Sequence, residues 1–111
     1  MDDKEREAVK QRLEEELAEA RDELQRLEEK VQVEVEYGLG EGDPNIYERE
    51  MNMALRRRVR RKVRSVEEAL QRFEEGTYGV CERCGGQIGA QRLEIMPEAR
   101  LCINCAQQSG R

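Results

Sequence analysis

The sequence contains no histidine and no tryptophan, and aromatic residues make up only 4% of its 111 residues. Without an imidazole it lacks the commonest general base of enzymes that work near neutral pH. Hydrophobic residues (37%) are outnumbered by charged ones (41%), which is too few to fill a large globular core. No segment approaches the roughly 18 apolar residues of a membrane span, and the charged N-terminus does not resemble a signal peptide. We therefore expect a cytoplasmic protein without enzymatic activity that does not enter a membrane.

Proline and glycine are absent from the first 37 residues. Apolar residues recur there at spacings of three and four, which is typical of a heptad seam on one long helix. The seam of this first predicted helix, residues 3–37, consists of Leu13, Leu17, Ala20, Leu24, Leu27 and Val31. Glycines at positions 38, 40 and 42 predict a break after it.

A second helix is predicted from Pro44 to about Glu75, with Asp43 as its N-cap. Its seam has the same spacing and consists of Met51, Leu55, Val59, Val63, Val66, Leu70 and Phe73. Two long helices joined by a short loop fold back antiparallel. The predicted fold is therefore mainly α, with a coiled-coil helical hairpin over residues 1–75 and its tip at about 38–47.

Charge is distributed unevenly between the two predicted helices. Residues 1–37 carry 14 acidic and 7 basic side chains, whereas residues 51–75 carry 8 basic and 4 acidic ones. Pairing the helices about the loop centre places the basic run Arg56–Arg64 beside residues 17–25, near Glu19, Asp22 and Glu23. We expect ion pairs between these side chains to set the antiparallel register.

The C-terminal segment, residues 76–111, is rich in glycine and carries all four cysteines as two CxxC pairs separated by 17 residues. This spacing is typical of a zinc site, and in a reducing compartment metal binding is favoured over disulfides. Four thiolates complete a tetrahedron and leave no position for substrate, so the predicted zinc ion is structural. The predicted ligands are Cys81, Cys84, Cys102 and Cys105.

The motifs of this segment resemble those of the DksA/TraR family of bacterial transcription regulators. The similar residues are Gly76-Thr77-Tyr78-Gly79, Cys81-Glu82-x-Cys84-Gly85, Ile88-Gly89, Arg92-Leu93-Glu94, Pro97 and Leu101-Cys102-Ile103-x-Cys105. The resemblance implies a helical hairpin followed by a four-cysteine finger. It also implies binding to bacterial RNA polymerase, with the hairpin in the secondary channel and an acidic tip that reaches toward the active centre.

The sequence departs from the family pattern at two places. Asp43 and Pro44 match the best-known tip, but Ile46 stands in place of its second aspartate and Glu48 in place of its alanine. Asp43, with Glu41 and Glu48, is the candidate set of tip contacts, although Asp43 also suits a helix cap alone. The family's basic positions for the alarmone ppGpp correspond to residues that are not basic here, namely Ser65, Met96 and Ala106.

Two other functions are consistent with the sequence. The heptads suit a dimerising scaffold with a zinc-stabilised end, although we expect a monomer because a hairpin satisfies its own seam. The run Arg56–Arg64 suits a nucleic-acid-binding surface, but stacking aromatics are missing from it and sequence-specific DNA binding is not expected. Tyr37, Tyr47, Met51 and Met53 either complete the seam near the loop or contact a partner.

Overall fold

A computed structural model describes residues 2–36 and 46–109. Two long helices dominate it, α1 over Asp3–Glu36 and α2 over Ile46–Glu75. Two short helices follow, α3 over Ala90–Ile95 and α4 over Ile103–Gln108. No strand occurs within these ranges, and the only β feature is one isolated antiparallel bridge between Val80 and Gln87. The predicted mainly α fold with a long helical hairpin is confirmed.

The interior of the hairpin follows the predicted seam over most of its length. On α1 the predicted seam residues are buried, except that Leu24 is half-buried. Ala20 and Leu27 of α1 form one apolar cluster with Val59 of α2, and Leu24 and Val63 pack against it. Apolar burial of this kind, rather than helix propensity, stabilises long charged helices.

The predicted seam of α2 is wrong at the end nearest the loop. Met51, predicted to be buried, is 64% exposed, and Leu55 is 38% exposed. Asn52 takes the inward position with only 7% exposure, and Glu34 of α1 is also buried. The spacing of the apolar residues did not predict that Asn52, and not Met51, faces inward. A pattern of this kind assumes that only apolar residues are buried. Residues 38–45 of the predicted tip, which include Asp43 and Glu41, lie outside the described residues, and so does Tyr37.

By its internal contacts the chain divides into two compact units, residues 17–64 and residues 1–16 together with 65–111. In the second unit Leu13, Val66 and Ala69 are almost fully buried between the N-terminal part of α1 and the C-terminal part of α2. The segment from Gly76 onward folds against these helix ends. A boundary between hairpin and finger at residue 76 stays a prediction.

None of the helices in the described ranges is both long enough and apolar enough to cross a membrane.

Candidate metal centre

The first cysteine pair lies in a tight turn that the bridge between Val80 and Gln87 closes. The Cys81 amide donates to the Gly86 carbonyl at 2.8 Å, and the Gly85 amide donates to the Cys81 carbonyl at 3.0 Å. Gly85 has φ of 76°, in the left-handed region that residues with a Cβ rarely adopt. The Gly86 amide donates to Cys84 Sγ at 3.4 Å. The turn therefore brings both sulfurs to one side, and it gives the sulfur of Cys84 one backbone hydrogen bond.

The second pair begins α4. Cys102 is the N-cap of this helix, and its Sγ accepts a hydrogen bond from the Cys105 amide at 3.5 Å. The Cys102 carbonyl accepts from the Ala106 amide at 2.9 Å, which continues the helix. A CxxC at a helix start places the two side chains about one turn apart on the same face.

The four sulfur atoms of Cys81, Cys84, Cys102 and Cys105 lie within 4.8 Å of one another. Cys84 Sγ and Cys102 Sγ, from different pairs, are 3.9 Å apart. Sulfurs of a tetrahedral zinc site are separated by about 3.8 Å, because each Zn–S bond is about 2.3 Å. The donor set therefore fits zinc in number, chemistry and spacing.

The thiols of this cluster differ in acidity. Hydrogen bonds from the backbone, foremost that of Cys84, lower the pKa of Cys81 to about 6. The side-chain hydrogen bond with Cys102 raises the pKa of Cys105 to about 12. Four thiolates this close together would repel one another, and a divalent cation among them would offset that repulsion.

Arg72, at the C-terminal end of α2, connects that helix to the finger. Its side chain is buried, and Nη2 donates to the carbonyls of Glu98 and Ala99 at 3.3 and 3.5 Å. Nη1 lies 3.7 Å from a carboxylate oxygen of Glu82, which stands between the first two cysteines. Arg100 approaches the same carboxylate at 3.8 Å. One guanidinium thus holds both halves of the finger to α2.

Tyr78 forms a second anchor. Its ring stacks on Phe73 of α2 with centroids 3.9 Å apart, and its hydroxyl donates to the Pro97 carbonyl at 2.8 Å. Burial raises the pKa of Tyr78 to about 12. Gly79 follows with φ of 86°, and a Cβ there would lie 3.5 Å from Leu93.

Sequence reasoning missed Arg72 as an anchor, and it treated Tyr78 only as a motif residue. The position of Arg72 in the sequence was an indication that it could contact the finger. Arg72 directly precedes the seam residue Phe73 near the end of α2. Buried arginines need several acceptors, and the finger's turns supply backbone carbonyls. The separation of 26 residues between Arg72 and Glu98 gave no local pattern to detect.

Within the basic run, Arg60 pairs with a residue of α1 outside the range 17–25 that was predicted to lie beside the run. Arg60 pairs with Glu28 at 2.8 Å, and both side chains are nearly half-exposed. Glu28 lies about one and a half turns nearer the loop than the predicted partners Asp22 and Glu23. The exposed residues of the run are Arg57, Arg58, Arg60, Arg61 and Arg64. Glu48, the one candidate tip contact within the described residues, is exposed on the first turn of α2.

Residues 76–109 match the prokaryotic dksA/traR C4-type zinc finger family. The RNA polymerase-binding transcription factor DksA of Escherichia coli K12 is 42% identical over 60 residues, 52% of this chain and 40% of the relative. A protein of Aquifex aeolicus without assigned function is 45% identical over 49 residues, 44% of this chain and 34% of the relative. The chain thus spans less than half the length of these curated relatives.

The transcription factor DksA2 of Pseudomonas aeruginosa has the same fold. Its structure superposes with a TM-score of 0.79 over 98% of this chain and 85% of that protein, at 21% sequence identity. The likeness to DksA2 concerns the fold, and the sequence motifs are concentrated in the finger. A structural zinc ion is the cofactor that the C4-type match and the four-sulfur cluster support. Residues 76–109 thus match the dksA/traR C4-type zinc finger family, and the chain has the fold of DksA2.

Proposed function

We propose that this protein regulates transcription by binding bacterial RNA polymerase, and that it acts by contact rather than by catalysis. The observation that carries the proposal is the family zinc finger at residues 76–109 on a chain with the DksA2 fold. A curated relative with that finger, E. coli DksA, is named for binding RNA polymerase. Since bacterial RNA polymerase works in the cytoplasm, the protein acts there.

In the proposed mechanism the finger and the hairpin have different roles. Cys81, Cys84, Cys102 and Cys105 hold one zinc ion that fixes the finger, and Arg72 and Tyr78 hold the finger to the end of α2. The hairpin enters the secondary channel of the polymerase. Asp43, with Glu41 and Glu48, presents negative charge at its tip and changes the behaviour of promoter complexes.

A pull-down with purified bacterial RNA polymerase tests the binding step. The zinc-loaded protein is expected to be retained, whereas protein stripped of zinc under reducing conditions is expected to be lost. Retention of neither form at micromolar concentrations would contradict the proposal. In the same preparation, light scattering separates the monomer from a dimeric scaffold.

The tip is tested separately by Asp43→Ala. This variant is expected to bind polymerase within about twofold of the wild type but to lose its effect on transcription in vitro. Glu50→Ala, an exposed acid farther along α2, is the matched control and should retain both properties. If Asp43→Ala regulates transcription as the wild type does, Asp43 is a helix cap only.

The basic run is tested by salt dependence. If it binds nucleic acid, affinity for a DNA duplex falls steeply as salt rises, by about one power of the salt concentration for each phosphate contact. We expect no measurable binding even at low salt, because the chain is acidic overall with a formal net charge of −5.

A further inference from the structure

A cavity opens between α1 and α2 within the unit of residues 17–64. Its volume is about 470 Å³, which is in the range of sites that hold small organic molecules. Two buried polar side chains line it, Glu34 (9% exposed) and Asn52 (7%). The exposed charged residues at its border are Glu29, Glu48, Arg26 and Lys30. Because buried polar groups need hydrogen-bond partners, the cavity is a candidate ligand site.

Glu34 has an unsatisfied carboxylate oxygen at this cavity. Its Oε1 is shielded from solvent and has no hydrogen-bond partner among the described residues, although Lys30 and Arg26 border the same cavity. A buried carboxylate oxygen without a donor costs free energy, and the cost is larger for a charged group than for a neutral one. The terminal torsion of a glutamate is soft, so a ligand in the cavity can turn this oxygen toward itself. The wall therefore favours a ligand that carries a positively charged hydrogen-bond donor.

The arrangement of the carboxylates decides between a metal ion and an organic cation. Within residues 2–36 and 46–109, the four cysteines are the only group of three or more acidic, cysteine or histidine side chains that converge on one metal site. The three carboxylates of the cavity outnumber its two cations, but they are too far apart to surround one ion. A linear aliphatic diamine suits separated carboxylates, because a flexible apolar chain joins its two ammonium groups. The half-exposed Val33 gives that chain an apolar part of the wall.

We infer that the cavity beside Glu34 and Asn52 binds a linear aliphatic diamine or polyamine. One ammonium group donates to the Glu34 carboxylate and to the side-chain oxygen of Asn52, and the other meets Glu29 or Glu48 at the border. The site is separate from the zinc centre, and it does not depend on the proposed function. Because the ligand binds only the folded hairpin, it raises the stability of the hairpin by mass action.

The test is isothermal titration of the full, zinc-loaded chain with putrescine, a four-carbon diamine. The wild type is expected to give saturable one-to-one binding. Glu34→Gln removes the charge but keeps the size of the side chain, and it is expected to raise Kd about tenfold or more, as the loss of a charge-assisted hydrogen bond does. Glu19→Gln, at an exposed acid of α1 outside the cavity, makes the same change of net charge. This matched control should change Kd by less than about twofold.

Asn52→Leu is a second variant that separates ligand binding from folding. It places an apolar side chain at an inward position, so the urea midpoint is expected to rise while the affinity for putrescine falls. Lys30→Met tests the sign of the charge at the border. Removing this cation is expected to lower Kd, because its ammonium group repels that of the ligand. A higher Kd for Lys30→Met would overturn the inference, since the ligand would then carry negative charge.

Three other outcomes would overturn the inference. The first is the absence of saturable binding by the wild type up to about 10 mM putrescine, which would mean that the cavity holds only water. The second is an equal loss of affinity in Glu34→Gln and Glu19→Gln, which would mean that the amine associates with the acidic surface in general. The third is displacement of putrescine by magnesium chloride at constant ionic strength, which would make the cavity a metal site. Binding to RNA polymerase is measured separately, so either proposal can fail while the other stands.

Discussion

Replacing Arg72 by methionine should destabilise the finger-bearing unit by about 3 kcal/mol. The guanidinium donates two hydrogen bonds to carbonyls at 3.3 and 3.5 Å, and hydrogen bonds from a charged donor contribute about 1.5–3 kcal/mol each. Both bonds are long, so the lower value applies to each. The ion pair with the half-exposed Glu82 adds well under about 1 kcal/mol. Methionine retains an apolar stem of similar length, so the loss comes from the polar contacts.

Arg100→Met is the matched control for this substitution. Arg100 approaches the same Glu82 carboxylate at 3.8 Å, but its side chain is 55% exposed, and it donates to no buried carbonyl of residues 2–36 or 46–109. We expect it to cost less than about 1 kcal/mol. The two arginines therefore separate what a buried, multiply bonded guanidinium contributes from what a surface ion pair contributes.

Urea unfolding followed by far-ultraviolet circular dichroism, with zinc in excess, measures both variants. In thermal unfolding followed by the same signal, a loss of 3 kcal/mol corresponds to a fall in Tm of about 12 °C for a domain of this size, against less than about 4 °C for the control. Hydrogen exchange should rise in the amides of residues 98–101 for Arg72→Met only. The reasoning is refuted if the two variants lose equal stability.

Three further predictions follow from the contacts of the same unit. Cys84→Ser leaves three thiolates and should weaken zinc binding at least about a hundredfold, measured by competition with a chromophoric chelator. Native mass spectrometry should show loss of the metal. If the variant retains as much metal as the wild type, the proposed ligand set is contradicted. Because the pKa of Tyr78 rises from its ordinary value of 10 to about 12, the stabilisation that it supplies is complete below pH 10 and disappears as pH passes 12; absorbance at alkaline pH should show a late phenolate step that Tyr78→Phe removes. Val66→Ala creates a cavity at a fully buried site and should cost about 1–3 kcal/mol in urea unfolding, whereas Val33→Ala should cost less than about 0.5.

The zinc finger and the two long helices could be predicted because their signals are local. A CxxC pair fixes two sulfurs through one turn, and the second pair repeats the pattern, so the ligand set follows from the spacing. Helix α1 follows from a heptad seam without proline or glycine, and the structure places its bounds at Asp3–Glu36. In α1 each seam residue lies about one turn from the next, and in the finger each cysteine has a second cysteine three residues away.

The register between the helices could not be predicted from charge. Helix α1 offers acidic residues along its whole length, so Arg60 meets a carboxylate in almost any register, and the structure selects Glu28. A surface pair of this kind is worth under about 1 kcal/mol and cannot override apolar packing. Register is instead set by which apolar residues meet, as in the cluster of Ala20, Leu27 and Val59. That choice depends on the geometry of both helices together.

The rotation of α2 near the loop has a similar origin. Apolar residues were available at Met51 and Leu55, yet Asn52 is buried. A single helix has one rotation along its axis, and α2 is fixed farther along by Val59, Val66 and Ala69, which are all buried. Asn52 lies seven residues before Val59, almost two full turns, so it points in nearly the same direction as Val59. Met51 points about 80° away from the direction of Val59. The side chain of Asn52 is therefore buried because the rest of the helix holds it there, and the same rotation leaves Met51 and Leu55 exposed to solvent.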